Sequence, residues 1–185
     1  MSHVSGLCVC ALPVYFRRMN IFILRHGIAL ERDDWKGKDD SLRPLTREGE
    51  KQLQKVSRAL KKMKLEFDLI LSSPYARAKT TAEIVADKLK LKKRLKLSEA
   101  LIAEGEPEQV VNEIAALKPP PEYLLLVGHE PYLSQLISQL ISGDAGMNID
   151  FKKAGLCRLK VDELRFGRCA TFCWLLTPKQ MELMA

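Results

Sequence analysis

Two short apolar runs do most to limit what this chain can fold into: Ile21-Phe22-Ile23-Leu24 and Tyr123-Leu124-Leu125-Leu126-Val127. Both have the length of a strand, and neither alternates with polar residues, the pattern of strands covered on both faces. The first hands over directly to Arg25-His26-Gly27 and the second to Gly128-His129-Glu130-Pro131. Open α/β sheets bind their ligands at the carboxyl ends of parallel strands. If these strands run parallel in one sheet, His26 and His129 face each other at that edge. A lone histidine there would simply satisfy a loop carbonyl. With only three histidines in the chain, two at equivalent strand ends argue for chemistry.

The intervening sequence has helical periodicity. Thr46 is placed as an N-cap, and Leu53, Val56, Leu60 and Met63 recur on one helix face behind it. Residues 67–71 form a second strand candidate. Ser72-Ser73-Pro74 then reads as a helix start, with Ser73 capping, Pro74 first in the helix, and Ala78, Ala82, Val85 and Leu89 turned inward. A short strand at 94–97 leads to a loop with Glu99 and Glu104. The next helix begins near Pro107, buries Val110, Val111, Ile114 and Leu117, and stops at Pro119-Pro120-Pro121. A further helix is expected from Pro131 through Leu140. Residues 155–161 and 169–176 read as a terminal hairpin. Strands alternating with helices and closed by a hairpin specify an α/β fold with a mixed sheet.

The formal charge of +7 invites a nucleic-acid reading. Much of it, however, comes from lysines in amphipathic helical stretches such as 51–62 and 88–96, where solvated helix faces explain it. Aromatic residues make up 6% and form no interleaved stacking run, so no nucleic-acid partner is expected. The same positive field suits a phosphorylated or acidic substrate. Five cysteines, an odd number without CxxC spacing, fit a reducing compartment, and a cytoplasmic protein is expected. The apolar stretch at 7–16 is too short to span a bilayer and its basic pair Arg17-Arg18 follows it, so no membrane association is expected. Residues 1–18 are therefore read as a flexible extension and 19–185 as one domain. Oligomeric state is not legible.

Arg77 falls four residues after Ser73, near a helix start that the preceding strand delivers to the same sheet edge. Helix N-termini attract anions, and a guanidinium offers a rigid fork for phosphate. Alone, Arg77 would read as an exposed helix arginine. Together with Arg25, His26 and His129 it makes a cationic pocket. Two histidines without clustered carboxylates or thiolates make a poor zinc site, and neither a Walker loop nor a GxGxxG motif is present. No metal and no cofactor are expected. A neutral imidazole attacking phosphorus fits better, with the arginines and the second histidine holding the phosphoryl oxygens.

Four motifs in order, Leu24-Arg25-His26-Gly27, Pro44-Leu45-Thr46-Arg47-Glu48-Gly49, Ser72-Ser73-Pro74-Tyr75-Ala76-Arg77-Ala78-Lys79-Thr80-Thr81 and Val127-Gly128-His129, resemble the histidine phosphatase superfamily. More narrowly, the chain resembles the short SixA-type phosphohistidine phosphatases over about residues 19–176. The resemblance implies a three-layer α/β/α fold of phosphoglycerate mutase-like type with a mostly parallel mixed sheet. It also implies phosphorylation and dephosphorylation of His26, with phosphate bound by Arg25, Arg77 and His129, and no metal.

In many relatives a loop carboxylate protonates the leaving oxygen. Here Glu99, Glu104, Glu106 and Glu108 occupy that region and none is a full match; Glu104, before Gly105, is the carboxylate that would serve as acid or rim residue. Between Ser73 and His129 the chain is taken up by helices, strands and connections, which leaves no length for a lid and implies an open pocket. The expected substrate is a histidine-phosphorylated protein, with a role in signal transduction. A small phosphomonoester is the alternative substrate, and a non-catalytic phosphoprotein-binding module is the alternative function.

Overall fold

The structure, a computed structural model, describes residues 18–185. Residues 1–17 lie outside the described residues, and with them most of the expected extension, including Cys8 and Cys10. Six strands make one sheet in the order β3-β2-β4-β1-β5-β6. They are β1 (Met19–Arg25), β2 (Leu69–Ser72), β3 (Leu95–Leu97), β4 (Tyr123–Gly128), β5 (Leu156–Val161) and β6 (Ala170–Leu176). The first four run parallel to one another, while β5 and β6 are antiparallel and form the terminal hairpin. The expected mixed, mostly parallel sheet is therefore the observed one.

Alternation along the strands sorts the core into two halves. Ile21, Ile23, Leu124 and Leu126 pack on one side with Val110, Val111 and Ile114 of α3 (Pro107–Ala115) and Leu133, Leu136 and Ile137 of α4 (Tyr132–Ser142). Phe22, Leu24, Leu125 and Val127 face the other side. They meet Leu53, Val56 and Leu60 of α1 (Arg47–Lys62) and Ala78, Ala82 and Val85 of α2 (Ala76–Leu89). This is the three-layer α/β/α arrangement. Each fully buried Leu, Ile or Phe contributes about 1.5–3 kcal/mol, and both sheet faces are covered by such residues, so the two halves of the core share the stabilisation. No helix among the described residues is long and apolar enough to cross a membrane.

Two local features depart from the sequence expectations. Pro74 does not open the second helix: α2 begins at Ala76, Tyr75 is its N-cap residue, and no side chain caps it. Ser73 makes only a long contact with the Tyr75 N–H (3.3 Å), and its hydroxyl lies 2.8 Å from His129 Nε2. A serine that reads as a cap belongs instead to the strand-end cluster. A helix beyond the expected hairpin, α5 (Pro178–Leu183), follows β6. Its Thr177/Gln180 capping box with Pro178 at the first turn is nevertheless a sequence-level start signal, and Met181 buries it on the α1 side.

Candidate active site

Parallel pairing aligns the strand ends. Leu24 lies opposite Val127 and Arg25 opposite Gly128, and the His26 N–H donates to the Gly128 carbonyl (3.0 Å). Ser73 is tied to the same edge, its N–H donating to the Val127 carbonyl (3.0 Å). The two imidazoles emerge side by side, with ring centroids 5.1 Å apart. The loop after His26 is clamped between helices. Thr46 accepts the Gly49 N–H (3.0 Å) at the start of α1, and its own N–H donates to the Ile28 carbonyl (2.9 Å). A Cβ on Gly49 would stand 2.1 Å from that carbonyl, so only glycine lets α1 approach this closely. Thr81 of α2 completes the clamp: its hydroxyl accepts the Gly27 N–H (3.1 Å) and donates to the Arg77 carbonyl (2.7 Å).

The protonation state of His26 follows from its neighbours. Its Nδ1 is 2.7 Å from the Gly27 carbonyl, which can only accept, so Nδ1 carries the proton and Nε2 keeps its lone pair. Burial pushes the imidazole down to about 3; the Gly27 hydrogen bond opposes this, and the charges of Arg77 and Arg25 add to it. His129 is pushed down to about 2, chiefly by burial and then by His26 and Arg77. Both rings are neutral near pH 7, and one presents a free Nε2.

Arg77 is the second residue of α2, and its side chain is only 3% exposed. Burial lowers its pKa and Asp40 opposes that shift. Its Nη1 donates to the Asp40 carbonyl oxygen (2.8 Å), and its Nη2 pairs with Asp40 Oδ2 (3.0 Å). Arg25 donates through Nη1 to the Phe151 carbonyl (2.5 Å), and burial lowers its pKa against the charges of Glu130 and Asp150. Among the described residues, five buried side-chain nitrogen or oxygen atoms have no hydrogen-bond partner, and three belong to this cluster: Arg25 Nε, Arg77 Nε and His129 Nδ1. Unsatisfied buried polar atoms are costly, and three belonging to this one cluster are available to a tetrahedral oxyanion.

Arg25, His26, Arg77 and His129 are thus brought together. Asp40, Arg43 and Tyr75 join them without having been foreseen. Asp40 and Arg43 sit in a single 3-10 turn and at its cap, where the sequence offered only a polar loop. Arg43 Nε donates to Asp40 Oδ1 (2.7 Å) and Nη1 to the Leu30 carbonyl (2.5 Å), which buries the guanidinium. Its place immediately before Pro44-Leu45-Thr46 was the available signal. The Tyr75 ring lies 5.2 Å from His129 and under Arg77, and its hydroxyl donates to Glu104 Oε2 (2.7 Å). That bond, first among the causes, pushes the Tyr75 phenol up to about 12. Glu99, Glu106 and Glu108 are exposed, and Arg47 is exposed at the start of α1. No group of three or more His, Cys, Asp or Glu among the described residues could hold a metal ion.

Comparison with known proteins shows what the chain resembles in sequence and fold. The sequence profile of the histidine phosphatase superfamily (branch 1) matches residues 21–106. An uncharacterized protein of Picosynechococcus is 34% identical over 143 residues, 77% of this chain and 85% of that protein. Phosphohistidine phosphatase SixA of Escherichia coli K12 is 29% identical over 166 residues, covering 89% of this chain and 98% of SixA. The solved structure of the protein histidine phosphatase SixA complexed with tungstate superposes with a TM-score of 0.75 at 27% identity, covering 87% of this chain and 98% of that one.

Proposed function

The chain is a phosphatase enzyme that belongs to the histidine phosphatase superfamily and is of SixA type, and on that premise we propose that it removes phosphate from histidine-phosphorylated proteins through a covalent phospho-His26 intermediate. The observation that carries this reading is that neither Glu104 nor Asp40 is set up to give a proton, and that Glu130, although burial raises its pKa, has its two oxygens taken by the Ser134 N–H and hydroxyl. Glu104 is an acceptor, taking the Tyr75 hydroxyl. Asp40 feels some burial that would raise its pKa, but the Arg43 hydrogen bond and the charges of Arg77 and Arg43 hold it below the usual carboxylate range. An alkoxide leaving group needs a proton donor, whereas a phosphorylated imidazole protonated on its other nitrogen leaves as neutral imidazole.

The exchange balances without an acid. The His26 Nε2 lone pair forms a bond to phosphorus as the substrate's P–N bond breaks, and that electron pair returns to the substrate imidazole. The donor begins as a phosphoimidazolium and ends as neutral imidazole; His26, its Nδ1–H still held by Gly27, undergoes the reverse change. Arg25, Arg77 and His129 hold the equatorial oxygens, where charge redistributes in the transition state. With the Ser73 hydroxyl donating to His129 Nε2, the buried and otherwise unpartnered Nδ1 carries a proton that it can donate to phosphate. Water then attacks phospho-His26, the P–N bond breaks, and inorganic phosphate departs. The SixA relative is named a phosphohistidine phosphatase, and a SixA structure was solved with tungstate, a tetrahedral oxyanion like phosphate; both support the reading. The connection between β2 and β4 carries α2, β3 and α3 and no further domain, which supports access for a protein-borne side chain.

The test is a side-by-side turnover comparison of a histidine-phosphorylated carrier domain with common phosphomonoesters. The expected result is a clear preference for the carrier domain in kcat/KM. A large preference for phosphomonoesters would move the substrate assignment to small molecules.

A further inference from the structure

A carboxylate at the mouth of an anion site calls for an explanation. Asp40 bridges two arginines, Oδ1 on Arg43 Nε and Oδ2 on Arg77 Nη2, yet its side chain remains 41% exposed. It is therefore not a sealed structural ion pair. It is paired with Arg77, whose guanidinium lies over the Tyr75 ring, and that ring packs against His129, so the carboxylate stands at the rim of the site. A fixed negative charge there opposes the approach of a phosphate dianion. For a pocket built only to bind phosphate, its one gain is the fixing of Arg77 and Arg43.

The charge makes sense for one kind of leaving group. A phosphoimidazolium carries a positive charge and an N–H on the ring nitrogen that is not phosphorylated. His26, the other imidazole in the exchange, has its equivalent Nδ1–H held by the Gly27 carbonyl. The incoming ring needs a matching acceptor, and Asp40 is an exposed, ionised acceptor at the mouth of this site. We propose that Asp40 is the residue that selects the leaving group, its carboxylate accepting the distal N–H of the substrate's phosphoimidazole while disfavouring neutral-alcohol phosphomonoesters and free phosphate. This rests on the phosphohistidine reading above and deepens it. In the transfer step Asp40 exchanges no proton: it stabilises the protonated ring until the P–N electron pair returns to it.

The experiment compares wild type with Asp40→Asn. Asparagine keeps a carbonyl acceptor for Arg43, and the backbone carbonyl that holds Arg77 Nη1 is untouched. Three quantities are measured: kcat/KM on a histidine-phosphorylated carrier domain, kcat/KM on p-nitrophenyl phosphate, and the inhibition constant of inorganic phosphate. Loss of a charge-assisted hydrogen bond should lower the carrier-domain value by about 10- to 100-fold. The p-nitrophenyl phosphate value should fall far less or rise, and inorganic phosphate should inhibit several-fold more tightly. Asp40→Glu should recover part of the carrier-domain activity. An equal loss on both substrates, with weaker phosphate inhibition, would show that Asp40 only positions Arg77 and would overturn the proposal, as would an unchanged substrate ratio. If wild type itself fails on the carrier domain, the functional reading falls and this inference with it; if wild type succeeds and the variant keeps the ratio, only this inference falls.

Discussion

The floor and the rim of the site are built by different means. The floor consists of the carboxyl ends of β1, β2 and β4. Main-chain pairing aligns Arg25 with Gly128 and Ser72 with Val127, so His26, His129 and Ser73 have little freedom. The rim consists of the 3-10 turn around Asp40, the N-cap residue Tyr75 and the exposed Glu104. These are joined by side-chain hydrogen bonds between segments far apart in the chain. The difference separates two tasks. On the proposed mechanism, a rigid sheet edge fixes the atoms that make and break bonds, and side chains on loops decide which molecule approaches.

The comparison would break most visibly at its centre. His26→Ala should abolish turnover and leave the fold intact, because His26 lies past the end of β1 and is the proposed nucleophile, which no other group would replace. Rapid-quench labelling of wild type should place an acid-labile phosphate on His26. Near-normal turnover by the folded variant, or label on another residue, would overturn the assignment of His26 as nucleophile.

A second test sharpens the contrast through acid stability. His26 and His129 are buried neutral, pushed to about 3 and about 2, whereas the unfolded chain binds their protons near the ordinary histidine value. Between about pH 6.5 and the native values the unfolded state therefore holds more protons, so stability falls as pH falls. For either ring considered alone the loss at pH 5 is about 2 kcal/mol, or several degrees of melting temperature in a chain of this size. The prediction is that His129→Gln loses fewer degrees than wild type on going from pH 7.5 to pH 5. An equal loss would mean that His129 is protonated in the native site. The rim carboxylates are exposed enough that their substitution should leave this profile nearly unchanged.

The same division explains what could be read in the sequence. Uninterrupted apolar runs ending in histidine show where β1 and β4 lie and where His26 and His129 emerge, since period and composition are local properties. Arg77 was legible because the strand before it fixes the address of its helix. Asp40 was not, because its role depends on Arg77, a residue 37 positions away. Ser73 shows a subtler failure: its sequence context, before a proline and a helix, is that of a cap, but tertiary contact with His129 takes its hydroxyl. The closing helix α5 carried a readable capping box that strand periodicity just before it overshadowed. Sheet geometry is written locally, whereas a loop's partners are not.

The smallest effect is expected at Glu104, and it tests whether the rim takes part in the chemistry at all. Glu104 is exposed and accepts the Tyr75 hydroxyl at 2.7 Å. Glutamine keeps an oxygen that can accept this bond, so Tyr75 should stay packed against His129. A general acid for an oxygen leaving group contributes roughly 10²–10⁴-fold, and removing one would cost a comparable factor. A phosphoimidazolium asks for no such proton. Glu104→Gln should therefore retain most activity on a histidine-phosphorylated carrier domain, with any loss concentrated on unactivated phosphomonoesters. A drop of more than about 100-fold on the carrier domain, in a folded variant that binds phosphate normally, would assign Glu104 the acid's role. The rim would then share the chemistry with the floor, and a phosphomonoester would become the better substrate.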